Sequence, residues 1–153
     1  MSHITRLSRR TLLCGLAGGG LAAIALPLRA NATPAEADAA AVRLVGSAKP
    51  VPGKITLKLP QIAENGNTVQ YSVAVDSPMT ESDYVKAIHV LAEDNPFPEV
   101  ASFYLSPVNG KAEVTARMRM AKTMVVRALA VMSDGSVHEA RQEVKVTIGG
   151  CGG

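Results

Sequence analysis

Tryptophan is absent from the sequence, and the other aromatics amount to three Tyr and two Phe. Cysteine occurs twice, at Cys14 and Cys151, and histidine three times. Each scarcity excludes something. Without Trp and without a central Cys pair, the core of an antibody-type domain cannot be built. No Cys-x-x-Cys, phosphate-binding loop or nucleophile elbow is present. His89 and His138 are too far apart in sequence to make a zinc or copper spacing, so each reads as a strand or turn residue. Met118 and Met120 at period two read as core or interface before they read as a copper pair, and Arg117 and Arg119 on the opposite face read as a solvated strand face before they read as an anion site. With charged residues at only 19% and apolar ones at 47%, the chain is not disordered as a whole.

The formal charge of +3 hints at an anionic partner until the charges are placed along the chain. Residues 1–32 hold Arg6, Arg9, Arg10 and Arg29 and no acid. That leaves 12 of the 16 Lys+Arg against all 13 Asp+Glu, so the rest of the chain stands at −1. A near-neutral body with five aromatics is not a nucleic-acid binder. The basic segment itself reads as an address. Arg9-Arg10 precede an apolar stretch from Leu12 to Leu28, too short and too glycine-rich for a membrane span, and Ala30-Asn31-Ala32 follow as a small-x-small cleavage site. Consecutive arginines point to the twin-arginine route, which exports folded protein; an ordinary secretory signal is the alternative. Leu13 is too bulky for a lipobox before Cys14, so Cys14 is expected to leave with the signal. The mature chain then works in the periplasm and spans no membrane.

Thr33-Pro34-Ala35-Glu36 is a capping box with proline at the first helical position, which predicts a short helix ending near Gly46 within a 33–52 helix-and-linker segment. After Pro50 and Pro52 the period turns to two. Strand patterns run through Ile55–Leu59, Val69–Val75, Val114–Met120 and Val144–Ile148, while Val85–Ala92 and Met124–Met132 are apolar on both faces, as central strands are. Asn65-Gly66, Asn109-Gly110 and Asp134-Gly135 are the dipeptides that supply positive φ in tight hairpin turns. The expectation is an all-β, immunoglobulin-like antiparallel sandwich over residues 53–148, with a small barrel as the alternative. The Met-rich stretch Met118–Met132 is the expected partner-binding face.

The chemistry gathers at the tail. Gly149-Gly150-Cys151-Gly152-Gly153 follows the last strand pattern and reads as a thiol on a flexible, swinging arm. Five extended residues reach about 17 Å. With no side chains beside it, such a thiol can enter a cleft that a bulkier segment cannot. An unperturbed thiol, with a pKa of ~8.5, leaves activation to whatever pocket receives it. An incidental cysteine, or one that forms an intermolecular disulfide on an immunoglobulin-like interaction module, is the alternative reading.

The Gly149–Gly153 motif resembles the C-terminus of the SoxY family, the carrier subunits of bacterial thiosulfate oxidation. Leu59-Pro60-Gln61-Ile62-Ala63-Glu64-Asn65-Gly66, Asp76-Ser77-Pro78-Met79-Thr80 and Ser133-Asp134-Gly135 resemble SoxY segments in the same order. The resemblance implies covalent attachment of sulfur intermediates to Cys151, with no catalytic residue, metal or other cofactor of the chain's own. It implies a SoxZ-like partner in a heterodimer, exported together with it. It also implies three enzymes acting on the arm: a c-type cytochrome that loads thiosulfate, a thiosulfohydrolase and a sulfane dehydrogenase.

Overall fold

The computed structural model describes residues 33–148; the expected signal, with Arg9 and Arg10, and the expected arm, with Cys151, lie outside the described residues. Helix α1 (Pro34–Val45) begins as its capping box dictates. The Thr33 hydroxyl accepts the Glu36 amide, and the Glu36 carboxylate accepts the Thr33 amide at 2.7 Å. The helix ends at Gly46, whose φ of +71° suits glycine.

Nine strands follow: β1 (Val51–Pro52), β2 (Ile55–Lys58), β3 (Ile62–Ala63), β4 (Val69–Val75), β5 (Val85–Ala92), β6 (Glu99–Tyr104), β7 (Ala112–Met118), β8 (Met124–Met132) and β9 (Val137–Val146). They form two sheets, one in the order β1-β9-β8-β5-β6 with β3 also on β9, the other β2-β4-β7. The fold is therefore all-β and immunoglobulin-like. The inner faces meet over a core that includes Tyr71, Val73, Ile88, Val90, Val126 and Val144, all at most 1% exposed. Burying such side chains is the main stabilising term, at roughly 1.5–3 kcal/mol each.

The longer strands pair antiparallel, but β1 and β3 run parallel to β9. The chain touches β9 at Val51-Pro52, crosses to the other sheet through Gly53 (φ +118°) and Lys54 (φ +59°), pairs there as β2, and returns to β9 at Ile62-Ala63. Two sequence expectations are corrected, and one strand, β6, was not anticipated. Only Asp134-Gly135 closes a hairpin, between β8 and β9; Asn65-Gly66 and Asn109-Gly110 lie in connections between the two sheets, and Gly66 does not have positive φ. Strand β6 shows no alternation in sequence because a bulge opposite Val90-Leu91 lets Val100 and Phe103, three residues apart, both pack on the core. Met118, Met120, Met124 and Met132 are buried in the core, so they offer no partner-binding face.

The outer face of the larger sheet is covered by α1. Ala37, Ala40 and Ala41 share one helical stripe and are buried, and their short side chains let the helix sit close on Leu91, Leu129 and Val137. Arg127 projects from β8 beneath it, 4% exposed. Its guanidinium donates to Asp38 of α1 and to Glu139 of β9 at 2.8 Å, with Glu93 at 3.8 Å. Arg141 completes the network, 3.1 Å from Glu139 and 3.4 Å from Glu93. Burial alone would lower the Arg127 pKa, but the hydrogen bonds and charges of Asp38 and Glu139 outweigh it and raise it. This network also explains why β9 begins at Val137, well before the apolar alternation at Val144. Glu139 and Arg141 in that stretch pair with buried charge, and Gln142 donates to the Leu59 carbonyl at 3.0 Å.

His89 is a core residue of this outer face. Its Nδ1 lies 2.8 Å from the Ser102 hydroxyl and its ring meets Tyr104 edge-on at 6.1 Å. His138 sits near the start of β9, with a buried Nδ1 that has no hydrogen-bond partner. Among the described residues no group of three or more His, Cys, Asp or Glu is placed to hold a metal ion. No helix among them is long and apolar enough to cross a membrane.

Two outcomes follow from these contacts. Arg127→Ala leaves Glu93 and Glu139 only the half-exposed Arg141 as a cation and is expected to cost about 3–5 kcal/mol in urea unfolding. Asp38→Ala, whose side chain is 65% exposed, is expected to cost no more than about 1 kcal/mol, and equal costs would contradict this asymmetry. For His89, burial lowers the pKa from 6.5, against a smaller opposing influence of Glu99. The folded chain then holds that proton less tightly than the unfolded chain, so His89's contribution is complete above pH 6.5 and is lost as pH falls below it. The urea midpoint is expected to decline on acidification, and the decline to be shallower in His89→Leu/Ser102→Ala.

Candidate functional site

The described chain ends where the expected arm begins, so the site that can be built is the arm's root. Strand β9 delivers it. Val144 is fully buried, Val146 packs against the same core, and Ile148 is exposed. Over these few residues the chain passes from the interior to the surface.

Backbone hydrogen bonds hold this exit on one side. The Lys145 amide donates to the Gln61 carbonyl at 3.0 Å and the Thr147 amide to the Ala63 carbonyl at 3.1 Å. The Thr147 hydroxyl donates to the Glu64 carbonyl at 2.9 Å. Gly66 then donates its amide to the Ile148 carbonyl at 2.8 Å and accepts the Met120 amide at 2.8 Å. On the other side the Val146 amide donates to the Thr123 hydroxyl at 2.9 Å. The loop that supplies Glu64 and Gly66 is itself shaped by Asn65, whose side-chain oxygen accepts the Asn67 amide at 2.9 Å. Thr147 and Ile148 are thus fixed although no regular strand includes them.

These positioning residues were not singled out by sequence reasoning. Gln61, Ala63, Glu64 and Gly66 all fall in the Leu59–Gly66 segment that carried the family resemblance, which was the available signal. Thr123 and Thr147 carried none. Of the other residues considered, His138 lies some eight residues up β9 from Val146, roughly 26 Å away along the strand, and has no part in the root. Arg117 and Arg119 lie at the end of β7 and just beyond it, exposed, next to the Met120 that Gly66 binds. Cys151 and the four glycines around it, Gly149, Gly150, Gly152 and Gly153, lie outside the described residues.

A family model described as sulfur oxidation protein SoxY matches residues 41–151, a span that runs from α1 through Cys151. The structure is similar to that of the sulfur carrier protein SoxY from Chlorobium limicola f. thiosulfatophilum, with a TM-score of 0.65 and 36% identity, covering 76% of this chain and 100% of that one. It is also similar to a superoxide reductase (neelaredoxin) from Ignicoccus hospitalis, with a TM-score of 0.55 and 21% identity, over 76% of this chain and 94% of that one. A putative superoxide reductase from Thermotoga maritima has a TM-score of 0.53 and 19% identity, over 65% of this chain and 93% of that one. At such identities the reductases share the fold, which does not carry an activity with it. No curated protein sequence matches the chain. On the family match and the 36% identity over the whole of a SoxY structure, the chain belongs to the SoxY family of sulfur oxidation proteins.

Proposed function

We propose that the protein is a periplasmic carrier of sulfur intermediates, bound covalently at Cys151 and presented to the enzymes of thiosulfate oxidation. The observation that carries this reading is the fixed root: a strand whose last residues are held from both sides and which leads directly into Gly-Gly-Cys-Gly-Gly. A rigid root and a glycine tether together confine one thiol to a small volume. Such confinement raises its effective concentration at any docked active site without adding a contact.

The chemistry is assigned to partners. Loading joins the Cys151 thiol to the outer sulfur of thiosulfate, giving Cys–S–S–SO₃⁻ with loss of one proton and two electrons, and a c-type cytochrome takes the electrons. A thiosulfohydrolase then uses water to cleave the bond between the sulfane sulfur and the sulfonate, releasing sulfate and leaving a persulfide on the same cysteine. A sulfane dehydrogenase oxidises the persulfide further. The chain contributes no catalytic residue, metal or other cofactor in this scheme. It pairs with a SoxZ-like subunit, and Arg9 and Arg10 direct folded export of the pair by the twin-arginine route. Removal of residues 1–32 leaves a working protein near neutrality, so thiosulfate is captured by a bond and not by a basic surface.

Cys151→Ser is expected to abolish thiosulfate-dependent electron transfer in the assembled system while leaving the urea midpoint unchanged; retained turnover would overturn the carrier role. Deleting Gly149 and Gly150 shortens the arm by about 7 Å. Alkylation of Cys151 by a small reagent should then be unchanged, whereas turnover with the partner enzymes should fall at least about ten-fold, since misplacement of a reacting group by even an ångström is that costly. Parallel loss or parallel retention of both would show that the tether length is not what serves the enzymes.

A further inference from the structure

The residue that follows each asparagine decides how long its side chain survives. The amide is lost as ammonia when the next residue's main-chain nitrogen attacks its carbonyl carbon. Asn95 precedes Pro96, which has no N–H to lose, and Asn67 precedes the branched Thr68. Asn31 lies outside the described residues. Asn65 and Asn109 precede Gly66 and Gly110, whose lack of a side chain leaves the nitrogen open to react. Asp134-Gly135 undergoes the same attack more slowly: hydrogen bonds from the Ser136 hydroxyl and amide hold the Asp134 carboxyl below its usual range, so it stays ionised, and a carboxylate is a poor electrophile.

The two Asn-Gly pairs are held differently. The Asn65 side-chain oxygen accepts the Asn67 amide at 2.9 Å, which folds the carboxamide back over the Gly66 peptide and polarises its carbonyl. The electrophile is in place, but the nucleophile is withheld. Gly66 is buried, donates its N–H to the Ile148 carbonyl at 2.8 Å and accepts the Met120 amide at 2.8 Å. At Asn109 the side-chain oxygen accepts the Ser106 amide at 2.8 Å, and Gly110 donates to the Pro107 carbonyl at 3.0 Å. Those bonds close a single exposed turn, Pro107–Asn109, which opens without disturbing a strand.

We propose that Asn65-Gly66 is a latent deamidation site, restrained by the hydrogen bond from Gly66 to Ile148 and released only when the end of β9 lets go. Once released, the Gly66 nitrogen gives its proton to water or hydroxide and attacks Asn65 Cγ. The bond from Cγ to the side-chain nitrogen breaks, ammonia leaves, and a succinimide ring closes. Water opens that ring at either carbonyl, giving aspartate or isoaspartate, with no oxidation or reduction. Either product places a new carboxylate beside Glu64. Isoaspartate also lengthens the main chain by one C–C bond, about 1.5 Å, too much for Gly66 to keep both of its bonds. A passing fluctuation at the end of β9 thereby becomes a permanent release. The chemistry needs only Asn65, Gly66 and water, so it stands or falls separately from the carrier role of Cys151.

The test incubates the full chain at mildly alkaline pH and follows both asparagines in one sample by peptide mapping and mass spectrometry, with Asn109 as the internal reference. In the folded chain Asn65 is expected to react at least about ten-fold more slowly than Asn109, and in the urea-unfolded chain at a similar rate. Thr147→Val removes the hydroxyl that binds the Glu64 carbonyl and should speed Asn65 about five-fold, the scale of one hydrogen bond, with no change at Asn109. Thr123→Val, which frees the Val146 amide on the other edge of the strand, should act in the same direction. In chromatographically separated isoaspartate chains the Met120 amide should exchange its hydrogen at least about ten-fold faster. Asn65→Asp, which adds the charge without the extra bond, should leave that exchange unchanged. Equal rates at the two asparagines in the folded chain, or an Asn65 rate indifferent to both threonine substitutions, would overturn the restraint. Unchanged Met120 exchange in the isoaspartate chain, or equal acceleration in Asn65→Asp, would overturn the lengthened main chain as the cause of release.

Discussion

The structure depends on β9 being held along both of its edges. Its antiparallel partner β8 holds it over Val137–Val144, and the parallel pieces β1 and β3 take its other edge at Val51-Pro52 and Ile62-Ala63. A strand paired on one side only would present a row of open amides and carbonyls and would fray at its end. Here pairing continues past the last regular residue, through Thr147 to Gln61–Gly66 carbonyls and amides, so the end of the strand is held where fraying would otherwise set in. That is the mechanical requirement of any tether. A moving arm samples a defined volume only if its pivot does not move with it.

The same strand is fixed from the outer face by buried charge. Glu139 and Arg141 of β9 share Arg127 and Glu93 with β8 and the chain just after β5, and Asp38 brings α1 into the set. A buried guanidinium is costly unless its partners are correctly placed, so the network tolerates one register of β9 against β8. A one-residue slip would leave Arg127 in apolar surroundings and Glu139 without its cation. The arrangement adds specificity more than net stability, and the register it selects decides where β9 ends. A second ion pair, Arg43 with Glu99 at 2.7 Å, lies exposed on both sides and adds little.

What was legible in the sequence followed from periodicity and local chemistry. Val69–Val75 and Met124–Met132 announce themselves by alternation and by two-sided burial, and Thr33–Glu36 by its reciprocal hydrogen bonds. The misses share a cause, since each depends on a distant partner. Strand β6 needs a bulge opposite β5 to turn Val100 and Phe103 to one side. The first half of β9 is polar because Arg127 lies beneath it. Asn65-Gly66 resembles a hairpin turn, yet Gly66 serves as a bridge between Ile148 and Met120. The methionines look adaptable and exposed in a list, but the closing of two sheets buries them. Of the candidate site, Cys151 stands out in the sequence because glycine on both sides has no structural reason in a strand-ending tail, whereas the hydrogen-bonded segment Lys145–Ile148 does not stand out, being held by main-chain groups that every residue carries.

The likeness to superoxide reductases sharpens what the scaffold supplies. The two share a sandwich, but no group of three or more His, Cys, Asp or Glu among the described residues of this chain is arranged as a metal site. The carrier role proposed above assigns the catalytic groups to partners, and the carried atom must be released from one to the next. What such a protein must hold constant is the geometry of delivery: a rigid strand end, a tether with little torsional preference, and one thiol. A stiffer arm would suit a single active site better and the others worse. Under the proposed carrier role, glycine around Cys151 is a compromise among several pockets, and precision is moved back to the last point at which it costs no partner anything, the hydrogen-bonded segment Lys145–Ile148.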